Sequence, residues 1–336
     1  MKLSIRSISQ SLLLIAFAIL SASSVFAQAV PDNAPISSQK TGSVLIFNYY
    51  GSSSTNRMIE DTQVHVTNTH PQQVGMMSIF FIDPAGDVLG THLCTLYPNQ
   101  PASFLMSDVD PGGKGYIIAV SVDQTGRPNK FNYFTGSESI KMPTGHSAAV
   151  NAETISALVE SPTIGANGPL ENGVAATLKF DGVRYNKLPS ALVLDYIPAI
   201  GDGNQTMVII NQIGGSLLNG SKPDNLTSLT GTVYDVTTKA YFWQLGNINS
   251  CQLKKVIAND FPQTGPNMST AIKPGMYGWM KFWPHQANKG VTGMVLYLNT
   301  GVVPSASDSR FNGGRNLHHL MQTTDELTIP LIQIQC

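Results

Sequence analysis

Charge is scarce in this 336-residue chain: only 12 % of residues are Asp, Glu, Lys or Arg, and the total is nearly balanced. With no basic stripe, nucleic acid is an unsuitable partner. Aromatics make up 8 % and cysteines number three, which excludes a disulfide-dense scaffold. Motifs for common chemistries are missing too. There is no G-x-S-x-G elbow, and no H-E-x-x-H, C-x-x-C or phosphate-binding glycine loop. The lone S-x-x-K, Ser37 to Lys40, falls in a polar stretch that reads as a tail.

The N-terminus carries an export pattern. Lys2 and Arg6 precede the apolar core Leu12–Leu20, and "SVFA" ends at Ala27 in a small residue suited to cleavage. That core is too short to span a bilayer, and no later run approaches about 20 apolar residues. The reading is a mature chain without a transmembrane segment, secreted, periplasmic or held at the cell surface. No cysteine follows the cleavage point, which argues against a lipid anchor. Losing Lys2 and Arg6 leaves 309 residues with a net charge of −3, from 18 basic and 21 acidic residues.

Gly, Pro, Asn, Thr and Ser are plentiful, a balance that suits strands joined by many turns. Two stretches resemble one another: "VDPGGKGYIIAV" from Val109 and "IKPGMYGWMKFW" from Ile272. Other matches follow in the same order, among them "GSVLIFNYYG" with "PSALVLDYIP", "TQVHVTNTHP" with "QTMVIINQIG", and "MSIFFIDPAG" with "LTGTVYDVTT". Their offset grows along the chain, as loop insertions in a second copy would make it. Each block alternates or runs apolar and ends in turn residues.

The expected fold is therefore all-β: two tandem immunoglobulin/fibronectin-like antiparallel β-sandwich domains after a cleaved signal peptide. The boundaries are a signal at 1–27, a flexible segment at 28–41, copy one at 42–160, a Pro/Gly/Asn-rich linker at 161–176, and copy two with an extra hairpin at 177–336. Ala148–Val159 has a helical pattern. Pro111, Gly112 and Tyr116 in one copy, and Pro274, Gly275 and Trp279 in the other, read as structural corners. There proline fixes φ, glycine takes positive φ, and the aromatic ties back to nearby backbone.

Cys94 and Cys251 fall at matching places, and Cys336 ends the last strand. The pairing expected is Cys251–Cys336, closing a loop worth roughly 4–5 kcal/mol on chain-entropy grounds, with Cys94 a buried thiol. Acidic loops at Asp108 and Asp110, and at Asp202 and Asn204, read as polar turns because a calcium loop needs more oxygen ligands. His318 and His319, adjacent on a strand, would point to opposite faces. No metal or cofactor is expected. In the second copy Tyr277, Trp279, Lys281 and Trp283 fall at period two, as do Tyr241 and Trp243. Aromatics sharing a strand face can stack on sugar rings. Trp243, Tyr277, Trp279 and Trp283 are the candidate sugar-stacking residues.

The stretches "GSVLIF", "NTHP", "PNQPASF", "DPGGKGYIIAV" and "FNYF", with "NDFPQT", "GWMKFW" and "NLHHL", resemble a set of exported bacterial proteins of tandem immunoglobulin-like build and no assigned function. The resemblance covers most of the mature chain. It implies a second cysteine ahead of the position of Cys94, which the "DPAGDVLG" turn lacks here. Its motifs are turns and strands, so it implies no catalytic or ligand residue. The function expected is a non-enzymatic interaction protein acting on a protein or glycan partner outside the cytoplasm. The alternatives are a carbohydrate-binding module built on the second-copy aromatics, and a periplasmic or cell-wall hydrolase with an unrecognised site.

Overall fold

Strands dominate because β-branched and aromatic residues alternate with small and polar ones between glycine- and proline-bearing turns. The computed structural model describes residues 35–160, 162–164, 175–219, 221–299 and 312–332, which belong to one compact unit. The signal at 1–27 lies outside the described residues. Among the described residues no helix is long and apolar enough to cross a membrane.

The first half holds β1 (Val44–Gly51), β2 (Asp61–Asn68), β3 (Gly75–Ile82), β4 (Val88–Leu96) and β5 (Pro101–Leu105). It continues with the one-turn helix α1 (Met106–Val109), β6 (Lys114–Val122), β7 (Phe134–Lys141), β8 (Ser147–Asn151) and β9 (Glu153–Ile155). Next come β10 (Thr163–Ile164) and β11 (Ala175–Phe180). The second half opens with β12 (Leu188–Pro198), β13 (Asn204–Gln212), β14 (Gly215–Ser216), β15 (Leu229–Asp235), β16 (Ala240–Leu245) and β17 (Gln252–Val256). It closes with α2 (Met268–Ala271), β18 (Tyr277–Pro284), β19 (Val291–Asn299), β20 (Asn312–Asn316), β21 (His318–Thr323) and β22 (Asp325–Pro330).

These strands form five sheets. Sheet I has the order β4-β3-β6-β1-β9 and sheet II β5-β2-β7-β8. Sheet III is β10-β11-β22-β14, sheet IV β16-β15-β18-β12-β21, and sheet V β17-β13-β19-β20. Five sheets of four or five strands are the complement of a five-bladed β-propeller. This propeller-like set replaces the two tandem immunoglobulin/fibronectin-like sandwiches expected from the sequence, although its strands are interleaved along the chain rather than drawn from consecutive meanders. In an immunoglobulin sandwich the first strand lies beside the second and the last beside the sixth. Here β1 pairs with β6, and β7 pairs with β2. Local alternation marks strands but not their partners, so this exchange was invisible in the sequence.

Sheets I and IV nevertheless have the same order, position for position, as do sheets II and V. Even the irregularities correspond. β1 shifts register between Phe47 and Tyr50, and β12 does so between Leu194 and Ile197. Sheets I and II bury Leu45, Phe47, Val64, Ile79, Phe81 and Ile117 between them. Sheets IV and V bury Leu192, Leu194, Val208, Ile210, Met280 and Phe282. Sheet III covers the other face of sheet I, joining Val44, Ile46, Phe80 and Ile118 to Ala176, Leu178, Leu327 and Ile329. Each fully buried large side chain there contributes about 1.5–3 kcal/mol.

Several local expectations change. Ala148–Val159 is not helical: Ala148 and Val150 alternate inward on β8, and β9 follows. Within the expected linker, residues 163–164 form β10 and 175–176 open β11, whose Thr177 and Leu178 pair with β10. Residues 35–41 are not a loose tail, since Ile36 and Lys40 are buried and Ser37 bridges Thr154. The Lys40 ammonium donates to Asn186 and Ser156, fixing this segment to both β9 and the turn after β11.

Candidate functional site

On β18, Gly278, Met280 and Phe282 point inward, so Tyr277, Trp279, Lys281 and Trp283 share the outer face of sheet IV, as period two requires. Neighbouring strands complete that face. Thr232 and Val193 flank Lys281, Phe242 lies beyond Thr232, and His318 lies beyond Val193. One row across the sheet therefore reads Phe242, Thr232, Lys281, Val193, His318.

Next along, Tyr234 of β15 pairs with Trp279 of β18. Their rings stack with centroids 4.1 Å apart and planes 9° from parallel. The Lys281 ammonium lies 5.7 Å from the Tyr234 ring centroid, within cation–π range. Thr230, paired with Trp283 from β15, is 8 % exposed. Phe242 is 63 % exposed and Tyr277 49 %. Large apolar side chains exposed together on a flat sheet face mark an interaction surface rather than a random scatter.

Polar groups border this surface. Asp195, at the β12 irregularity, pairs with Arg315 and, at 3.1 Å, with His318 Nε2. Arg315 also donates to the Tyr297 hydroxyl at 2.9 Å, which in turn donates to the Tyr196 carbonyl. Burial raises the Tyr297 phenol to about 12 despite the nearby guanidinium, so it remains a neutral donor.

The sequence candidates separate accordingly. Tyr277, Trp279 and Trp283 come together on the open face, but Trp243 does not. It points inward, is 2 % exposed, and packs edge-on against Phe261. The four candidate sugar-stacking residues are thus reduced to three, and the open face also carries a stacked Tyr234–Trp279 pair and Phe242. Tyr234 and Phe242 escaped the sequence reading. Their signal was the β15–β16 hairpin, whose register sets Phe242 opposite Thr232.

The corner residues have other tasks. Gly112 and Gly275 do take positive φ, at 86° and 75°, in the turns after Pro111 and Pro274. The Tyr116 hydroxyl does not return to its own corner; it donates to the Gln212 carbonyl in the other half at 2.9 Å. Trp279 stacks instead of tying back.

Cys251 is a buried free thiol whose Sγ donates to the Asp83 carbonyl at 3.1 Å. The expected Cys251–Cys336 bond is corrected by this: the Sγ is turned toward the β3–β4 turn. Cys336 lies outside the described residues, and so does the side chain of Cys94 on β4. Desolvation raises the Cys251 thiol to about 11, which suppresses its thiolate.

The acidic loops also have protein partners. Asp108 faces Arg57, and Asp110 accepts from the Tyr50 hydroxyl. Asp202 accepts from the Gly275 amide, and Asn204 donates to the Ala199 carbonyl. Among the described residues no three His, Cys, Asp or Glu side chains gather as a metal site.

One histidine–carboxylate pair does join the halves. His319 Nε2 lies 2.9 Å from Glu153 Oε2, and Glu153 is 1 % exposed. Around it Asn48, Asn211, Gln252, Thr292 and Asn316 hydrogen-bond to one another. These donors are spent internally, which suits a structural joint more than a reactive centre. A cavity of about 830 Å³ lined in part by Arg57, Gln63, Lys141 and Gly314 contains none of the aromatic candidates.

No family model matches the chain, and no curated protein matches it. Among solved structures, a Thermotoga maritima protein designated 1070 shares 11 % identity over 34 % of this chain and 92 % of its own, with a TM-score of 0.26. A Streptomyces avermitilis α-L-rhamnosidase complexed with L-rhamnose shares 9 % over 84 % of this chain, which spans 28 % of that enzyme, at a TM-score of 0.17. The CFA/I adhesin CfaE of enterotoxigenic E. coli shares 9 % over 89 % of this chain and 91 % of its own, at 0.13. Similarity this low leaves the function to the chain's own surfaces.

Proposed function

We propose that the protein is a non-enzymatic binding protein acting outside the cytoplasm, with the outer face of sheet IV as its docking surface. An all-β, propeller-like fold is consistent with a binding protein, and a fold alone specifies no chemistry. The observation that carries the reading is the contrast of two equivalent faces. The outer face of sheet I is sealed by sheet III, while that of sheet IV presents Phe242, Tyr277, Trp279 and Trp283 to solvent. The export pattern at residues 1–27 supports the location. Trp279→Ala and Phe242→Ala should each abolish capture of the native partner from culture supernatant or cell-surface extract while leaving the denaturation midpoint near wild type. Undiminished capture by both variants would overturn the assignment of this face.

A glycan is the second reading, favoured by the Tyr234–Trp279 stack and the exposed rings beside it. Aromatic rings offer apolar faces to the C–H groups of a sugar while polar neighbours hold its hydroxyls. A glycan array of the wild-type protein separates this reading from a protein partner. Loss of Trp243 to the core removes one of its four candidates. The hydrolase reading is supported by none of the described clusters: Asp195 with Arg315 and His318 is a surface ion pair, and Glu153 with His319 is enclosed.

A further inference from the structure

The strands of sheet IV carry two carboxylates, Asp195 on β12 and Asp235 on β15. Asp195 is committed to Arg315 and His318. Asp235 accepts from the Thr237 hydroxyl and from the amides of Thr237 and Lys239, in the turn that closes the β15–β16 hairpin. Thr237 and the Lys239 amide hold its carboxyl below the usual range, so it stays ionised and locally satisfied.

Lys281, in the middle of the face, has no carboxylate partner among the described residues; its ammonium instead rests near the Tyr234 ring. Trp279 and Trp283 stand two residues away on either side along the same strand. That spacing is about 6.6 Å each way at roughly 3.3 Å per residue, the scale of one sugar ring. The surface thus offers one uncompensated cation with indole rings on both sides, on a face that is otherwise neutral or internally paired. Its complement is a flat, amphipathic ligand bearing an anion at ring spacing.

We propose that this face binds a carboxylate-bearing polysaccharide, with Lys281 pairing the uronate carboxylate and Trp279 and Trp283 stacking the adjoining rings. The inference rests on the docking surface assigned above and names its ligand class. A neutral glycan would leave the ammonium without a counter-charge, and an apolar protein surface would have to bury it unpaired, which is costly.

The test is titration of the full mature chain with polygalacturonate and, separately, with dextran. Wild type should bind polygalacturonate at least tenfold more tightly than dextran, and the preference should shrink at 0.5 M NaCl as screening weakens the ion pair. Lys281→Gln should cut polygalacturonate affinity about tenfold, and Lys281→Arg should restore most of it. Trp279→Ala should remove binding to both polymers. Equal affinity for the two polymers, or an unchanged Lys281→Gln variant, overturns the acidic-glycan assignment. If Trp279→Ala still abolishes capture of the native partner, that result sinks the ligand class alone. If capture also survives in Trp279→Ala and Phe242→Ala, the docking face itself is wrong. Coincident denaturation curves for the Lys281 variants separate binding loss from misfolding.

Discussion

Where β4, β3, β6, β1 and β9 lie side by side, one row of sheet I reads Gly90, Phe80, Ile118, Ile46, Glu153. The corresponding row of sheet IV reads Phe242, Thr232, Lys281, Val193, His318. The backbone plan is the same, but the surfaces have diverged. Phe80, Ile118 and Ile46 form the floor beneath sheet III and are fully buried. Gly90, at the exposed edge of the row, leaves room for a neighbour: a Cβ there would come within 3.0 Å of the Ile332 side chain, after β22. In sheet IV the equivalent of Gly90 is Phe242, projecting into solvent. The covered row centres on Phe80, Ile118 and Ile46, whereas the open row has a lysine at its centre and a phenylalanine at its edge. The difference teaches that a shared strand order fixes which residues face outward, while the outward residues decide whether the face is core or binding surface.

Exchanging the central residues should break that comparison most severely. Ile118→Lys would place an ammonium beneath sheet III with no carboxylate opposite, and should cost more than about 4 kcal/mol or prevent folding. Urea denaturation monitored by circular dichroism would measure it. A loss below about 1 kcal/mol would mean that sheet III lifts readily from sheet I.

A second contrast lies at the irregularity shared by β1 and β12. In the first half it presents Asn48, in the second Asp195. The Asn48 side chain donates to Asn316 and accepts from Asn211 and Thr292, so it ties sheet I to sheet V. Asn48→Ala should cost about 2–3 kcal/mol because it strands several buried partners. Asp195→Ala breaks a half-exposed cluster and should cost less than about 1 kcal/mol. Equal losses in the two variants would show that the junction is not the tighter of the two.

Much of this was legible in the sequence, and the missing part has a physical cause. Alternation placed Tyr277, Trp279, Lys281 and Trp283 on one face because the strand period is fixed by backbone geometry. The same rule put Tyr241 and Trp243 together but could not say that their face is the core, since burial depends on the partner sheet. Strand partners were unreadable for a similar reason: β1 could pair with β2 or β6 with no change in its own pattern. Sheet III was hidden because β10 and β14 are two residues long and β22 lies far along the chain. Cys251 and Cys336 looked like a pair because of chain position, while the fold turns the Cys251 thiol toward Asp83.

The junction between halves also predicts a pH response. Burial opposes the charged form of His319, but attraction to the Glu153 carboxylate, which accepts from the ring, with help from the Ile36 backbone, outweighs it and raises the imidazole above its ordinary value. A base raised in the folded state stabilises fully below its unfolded value, near 6.5, and that stability is lost as pH rises through the folded value. Glu138 acts in the same direction. Its burial raises the carboxyl despite a Tyr49 amide, so ionising it at higher pH works against the fold. The midpoint of urea denaturation should fall between pH 6 and pH 9. His319→Gln and Glu138→Gln should each flatten that decline. A decline of unchanged slope in both variants would sever the link to these two groups.

The smallest effect should come from the reverse exchange. Lys281→Ile gives the open face the residue that stands at the equivalent place beneath sheet III. Because the site is only partly buried and Lys281 has no carboxylate partner among the described residues, stability should change by less than about 0.5 kcal/mol. Solubility should respond more than stability does, since the change removes the central charge from a surface already bearing Phe242 and Tyr277 and enlarges an exposed apolar patch. Sedimentation at increasing protein concentration would register the self-association that a bare, uncharged sheet face invites. A marked loss of folding stability instead would mean that the ammonium above the Tyr234 ring is part of the fold's support, and that this face owes its lysine to architecture rather than to a ligand.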